Sequence, residues 1–162
     1  MNIRDTTQQL FSIIALGVIM DITRKIRSSV EIRTLLYVDD NLADLKMVEQ
    51  IIARHPNMRM LTAVNGNSGI EIARVSQPDV IMMDINLPDI SGFKALEILR
   101  SDPATAHVPV IAFSSNAMPL NIESGLEAGF FRYLTKPIQI NEFMEALDVA
   151  LEFAEQKAAK NK

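Results

Sequence analysis

Hydrophobic and polar positions alternate between two rhythms along most of the chain. Apolar runs too short for a helix occupy residues 34–38, 58–64, 80–83, 108–113 and 130–134, and read as buried strands. Between them apolar residues recur at helical spacing: Leu45, Val48, Ile51 and Ile52 within 42–55; Ile70, Ile72 and Ala73 in a helix ending near Ser76; and a third helix over 93–100. The last helix carries Ile140, Phe143, Met144, Leu147 and Leu151 on one face. Asn41 suits an N-cap, Pro119 a first helical turn and Gly129 a C-terminal cap, while Pro56, Pro78 and Asp102-Pro103 close segments. Five strands alternating with five helices predict βαβ units in one parallel sheet. Right-handed crossovers then give a doubly wound α/β fold with helices on both faces. This domain is expected over residues 33–157, with 158–162 a frayed tail.

Residues 1–32 break the rhythm. They are expected to form an apolar helix or to be disordered. Residues 10–20 are mostly apolar, but a bilayer span needs roughly 20 such residues. A secretory signal fits poorly, because Asp5 offsets Arg4 and Asp21 follows the apolar core without a small-residue cleavage site. Arg24, Lys25 and Arg27 leave a membrane-surface reading open. The balance is against membrane contact by residues 10–20, and favours a helix packing on the domain or a partner, a remnant of a longer protein, or a misplaced start with Met20 as the true one.

Composition narrows the chemistry. The 162 residues are 48% hydrophobic and 22% charged, enough apolar material for a core. A net charge of −4 speaks against nucleic acid, whose phosphates call for a dense basic surface. With no cysteine, thiol nucleophiles, thiolate zinc sites and disulfides are excluded, which is compatible with the cytoplasm. There is no P-loop and no dinucleotide-binding glycine motif. His55 and His107 fall at a helix end and in a loop, and neither reads as a phosphohistidine donor.

Polar residues stand at the carboxyl ends of four predicted strands: Asp39 and Asp40, Asp84, Ser114, and Lys136. Strands of a parallel sheet end on one edge, where such sheets bind ligands, so these side chains can converge. Each alone could be a cap, a turn or a solvated side chain; their joint placement is the signal. Three carboxylates together repel unless a cation compensates, and Mg²⁺ binds through carboxylates, waters and substrate phosphate. Lys136 adds a positive charge and Ser114 a hydroxyl. The set suits phosphoryl transfer, with Asp84 as the nucleophile.

The blocks Val38-Asp39-Asp40-Asn41, Met83-Asp84-Ile85-Asn86-Leu87-Pro88 with Gly92, Ile111-Ala112-Phe113-Ser114 and Tyr133-Leu134-Thr135-Lys136-Pro137-Ile138 resemble the signature of response-regulator receiver domains. The wording around residues 129–133 is most similar to receivers of hybrid histidine kinases. The resemblance implies a flavodoxin-like sheet of order 2-1-3-4-5 and Asp84 as phosphoacceptor. It also implies Mg²⁺ held directly by Asp40, through water by Asp39, and by Asp84 and the main-chain carbonyl of Asn86. Lys136 and Ser114 would contact the phosphoryl group, and Tyr133 would be the aromatic that turns as the Ser114 loop closes. A histidine kinase or histidine phosphotransfer protein would be the donor, and a downstream protein the target. Ser stands at 114 where the family more often has Thr, and Ser115 where it has Ala.

The resulting expectation is a stand-alone, Mg²⁺-dependent signalling switch in the cytoplasm, and not an enzyme beyond assisting its own phosphorylation and dephosphorylation. Its rivals are a receiver-like module that works without phosphate, a separated piece of a hybrid kinase, and an aspartyl-nucleophile phosphatase. The last would need a lid to exclude water, for which the loops are too short.

Overall fold

A computed structural model describes residues 3–116 and 118–160, which divide into two units on either side of the Ile32–Arg33 bond. The first unit is helix α1, Ile3–Val30. Its large apolar side chains from Leu10 to Ile26, including Phe11, Ile13, Ile14 and Met20, are exposed. Among the described residues no helix is long and apolar enough to cross a membrane.

The second unit runs β1 (Arg33–Val38), α2 (Leu42–Ile52), β2 (Met58–Ala63), α3 (Gly66–Ser76), β3 (Val80–Asp84), α4 (Gly92–Ser101), β4 (Val110–Ser114), α5 (Pro119–Ala128), β5 (Arg132–Thr135) and α6 (Ile140–Lys160). The strands form one parallel sheet in the order β2-β1-β3-β4-β5, the order that the resemblance implied. Strand and helix boundaries differ from the sequence reading by a residue or two at most ends. β4 starts at Val110 rather than 108, since Pro109 cannot donate to a ladder, although its carbonyl accepts the Ile81 N–H.

The three central strands are buried on both faces, and the side-chain alternation of a strand divides them between two cores. Leu35, Tyr37, Val80, Met82, Ile111 and Phe113 pack against α2 and α6 through Leu45, Val48, Phe143 and Leu147. Leu36, Val38, Ile81, Met83, Val110 and Ala112 pack against α3 and α4 through Ile70, Ala73, Leu96 and Leu99. Each of those side chains is almost fully buried, worth roughly 1.5–3 kcal/mol apiece for the larger ones.

The helices are started by short polar side chains. Asn41 Oδ1 accepts the N–H groups of Ala43 and Asp44 ahead of α2, and Asn65 Oδ1 accepts that of Ser68 in α3. α3 also receives a cap from a distant loop: Asp89 accepts the Gly66 and Asn67 N–H groups at 2.8 Å each. α5 ends at Gly129 with φ +108°, the left-handed conformation that glycine adopts without penalty. These caps fix where each helix begins relative to the carboxyl ends of the strands.

Candidate active site at the carboxyl edge of the sheet

β1 delivers Asp39 one residue past its end, and the Asp39 side chain has no exposed surface. A buried carboxylate needs compensating donors. Asp39 has three: its Oδ2 accepts the Tyr37 hydroxyl at 3.0 Å and Lys136 Nζ at 2.8 Å, and its Oδ1 accepts the Asn41 N–H at 2.9 Å. Burial, with Asp39 beside it, pushes the Tyr37 phenol well above its ordinary value, so Tyr37 remains a donor.

β3 ends on Asp84, which is 7% exposed. Its Oδ1 accepts the Asn86 main-chain N–H at 2.7 Å, and its Oδ2 accepts Lys136 Nζ at 2.6 Å. Gly92, at the start of α4, lies so close behind that an added Cβ would sit 2.7 Å from the Asp84 carbonyl oxygen and 2.9 Å from Ile85 Cα. Only glycine lets the helix approach the strand end that carries the acid.

Lys136 joins the set from the turn after β5, across a cis peptide to Pro137. Its ammonium reaches a third carboxylate, Asp44 Oδ2 at 2.9 Å, from the first turn of α2. Burial disfavours the charge, but the hydrogen bonds to Asp39, Asp84 and Asp44 outweigh it, so the Lys136 pKa moves up. In this arrangement the lysine itself neutralises the crowded acids.

The other sequence-predicted residues are placed as follows. Asp40 is exposed, and among the described residues its carboxylate has no hydrogen-bond or ion-pair partner. Ser114 is buried at the end of β4, where its Oγ accepts the Asn116 N–H at 3.0 Å. Asn86 is exposed in the loop after Asp84. Tyr133 is half-buried beside Gly125 of α5, and its hydroxyl is 3.5 Å from the Asn116 carbonyl, at the outer limit of a hydrogen bond. Two members of the site escaped the sequence reading. Asp44 sits at the fourth residue after Asp40, one helical turn along, and this spacing was its only signal. Tyr37 counted only as an apolar strand residue.

Asp39, Asp40 and Asp84 each offer a carboxylate oxygen, and the three oxygens lie within 4.8 Å of one another. An all-oxygen donor set that includes an unpartnered carboxylate fits a hard divalent cation such as Mg²⁺. By contrast, an apolar cleft of about 590 Å³ lined by Met60, Leu61, Ile72 and Val75 holds none of these residues.

Comparison with known proteins identifies the family. The family model of the response regulator receiver domain matches residues 35–148. The chain belongs to that family. This receiver is 32% identical over 115 residues to the polar-differentiation response regulator DivK of Brucella anthropi, covering 71% of this chain and 93% of DivK. It is 31% identical over 117 residues to the protein PilH of Pseudomonas aeruginosa, covering 72% of this chain and 96% of PilH. Among solved structures it resembles the receiver domain of a sensor histidine kinase from Pseudomonas aeruginosa, crystallised with magnesium coordinated in its active-site cleft. That likeness has a TM-score of 0.65 and 27% identity, and spans 76% of this chain and 98% of the other. Receivers are signalling domains of two-component systems, typically phosphorylated on an aspartate in reactions with histidine kinases and phosphotransfer proteins.

Proposed function

We propose that this receiver, residues 33–157, takes a phosphoryl group on Asp84 and signals through the change that follows. The observation that carries the reading is one ammonium held between two buried carboxylates at the sheet edge: Lys136 Nζ lies 2.6 Å from Asp84 and 2.8 Å from Asp39. An Asp84 carboxylate oxygen attacks the phosphorus of a phosphohistidine or acyl phosphate. The P–N or P–O bond breaks, its electron pair leaves with the imidazole or carboxylate, and Asp84 becomes an acyl phosphate. Asp39, Asp40, Asp84 and the Asn86 carbonyl would hold Mg²⁺, which when bound offsets charge on the transferring oxygens. Lys136 supplies positive charge at Asp84 throughout.

The product carries roughly −1.5 to −2 charge where Asp84 carried −1. The Ser114 hydroxyl now bonds Asn116; turning it to donate to a phosphoryl oxygen would free that loop, which also carries the Tyr133 hydroxyl contact. Ser114 and Tyr133 thus serve as the switch that reshapes a protein-binding face. The donor is a histidine kinase or phosphotransfer protein, the target another protein, the compartment the cytoplasm, and the domain acts as a switch rather than an enzyme on other substrates.

Intact-protein mass after incubation with acetyl phosphate tests this. One added phosphate with Mg²⁺, none with EDTA and none in Asp84→Ala is expected. No adduct on folded wild type with Mg²⁺ overturns the reading in favour of a phosphate-independent module.

A further inference from the structure

An alkylammonium has three N–H donors and no more. Lys136 donates hydrogen bonds to Asp84 Oδ2 at 2.6 Å and Asp39 Oδ2 at 2.8 Å, and its ammonium is also ion-paired with Asp44 Oδ2 at 2.9 Å. A phosphoryl oxygen arriving on Asp84 therefore competes for an ammonium already shared by three carboxylates, and one of these contacts has to give way. The three are unequal. Asp39 is wholly buried and holds its lysine bond in a network with Tyr37 and Asn41, so losing the ammonium would leave a desolvated charge. Asp84 carries the new group, so its lysine remains nearby. Asp44 is the most exposed of the three, at 21%, and water can replace its bond at low cost. It is also anchored independently, in the first turn of α2 with its N–H bonded to Asn41 Oδ1, and a carboxylate there is favoured by the helix N-terminus.

We infer that Asp44 is a positioning residue that holds Lys136 in the unphosphorylated state and gives it up when the phosphoryl group arrives. This rests on the proposed phosphoacceptor role of Asp84 and adds an opposing element to it. Asp44 helps the resting site by sharing the ammonium, and weighs against the loaded site twice. Its bond to Lys136 is lost, and its freed negative charge then faces a phosphoryl group that is also negative. The charge of Asp44 is therefore a brake on the activated state, set by a residue that touches neither the transferred group nor the attacking oxygen.

The test uses the full chain with beryllofluoride, a non-covalent mimic of a phosphoryl group on a carboxylate, at saturating Mg²⁺ so that altered metal affinity does not enter. Titration calorimetry gives its affinity for the wild type and Asp44→Asn. Thermal melting of the same proteins in EDTA reads the resting state. The variant is expected to melt roughly 2–5 °C below the wild type, having lost an ion pair, yet to bind beryllofluoride roughly fivefold more tightly. Mere structural damage would lower both. Equal or weaker beryllofluoride binding by Asp44→Asn, beside a wild type that binds it, overturns the brake and leaves the Asp84 role standing. A folded wild type that binds no beryllofluoride with Mg²⁺ overturns the Asp84 role and the brake with it.

Discussion

Replacing Lys136 by Met keeps the length and apolar stem of the side chain and removes the charge. In the resting protein that charge serves Asp39 and Asp84, both nearly inaccessible, and the part-exposed Asp44. Removing one partner of a buried ion pair costs about 3–5 kcal/mol. The cost here is smaller, because Asp39 retains the Tyr37 hydroxyl and the Asn41 N–H, and Asp84 retains the Asn86 N–H. Asp44 adds little, being open to water. The loss at pH 7 in EDTA is therefore expected at about 2–4 kcal/mol, or roughly 6–15 °C in Tm for a domain of this size. Since the Lys136 pKa is raised on folding, its contribution is complete below the unfolded value of about 10.4 and is lost only as pH rises through the higher folded value. Between pH 6 and 9 the difference between Lys136→Met and wild type should therefore be flat. Millimolar Mg²⁺, a second cation for the same acids, should raise the Tm of the variant more than that of the wild type. Circular dichroism melts with EDTA and with Mg²⁺ measure all of this. A Lys136→Met protein as stable as wild type in EDTA, or one that gains no more from Mg²⁺, would refute the claim that the lysine is the resting counter-charge.

Two further substitutions probe the scaffold. Asp89→Ala removes the distant-loop cap on α3, leaving that of Asn65, and should cost about 1 kcal/mol at neutral pH in urea unfolding. Burial opposes the Asp89 charge, but the backbone N–H bonds, those of Asn67 and Gly66 foremost, together outweigh it, so its folded pKa lies below the usual carboxylate value; the cost should persist at and above pH 4 and fade as pH falls through that lower folded pKa. Gly92→Ala pushes a methyl against the backbone of Asp84 and Ile85 and should cost about 1–3 kcal/mol, with slower labelling by acetyl phosphate because the acid itself is displaced.

The fold was legible because its signals are local. Runs such as Val80–Asp84 are too short and too apolar to be anything but buried strands, and Asn41, Pro119 and Gly129 mark helix ends whatever surrounds them. The acids and the lysine were legible because a parallel sheet brings strand ends together without any knowledge of side-chain rotamers. What the sequence concealed lies in three dimensions. Asp44 looks like any acid in a first helical turn, and its bond to Lys136 spans 92 residues of chain between α2 and the turn after β5. Tyr37 matches its apolar neighbours in pattern, and only the fold turns its hydroxyl onto Asp39. The Asp89 cap on α3 likewise joins two loops that no periodicity connects.

The alternation that sends neighbouring strand residues into opposite cores also sorts the residues at the strand ends. Asp84 is in step with Val80 and Met82, and Asp39 with Leu35 and Tyr37, on the side of α2 and α6. Ser114 is in step with Val110 and Ala112, on the side of α3 and α4, where Tyr133 also packs. Asp39 and Asp84 thus belong to one half of the molecule, and the hydroxyl and aromatic to the other, with only the thickness of the sheet between them. Repacking α2 or α6 bears first on the acids, and repacking α4 or α5 bears first on the response. Insertions are unequal for the same reason. One residue added inside β3 turns Asp84 to the far side of the sheet, whereas two restore its side and change only its reach.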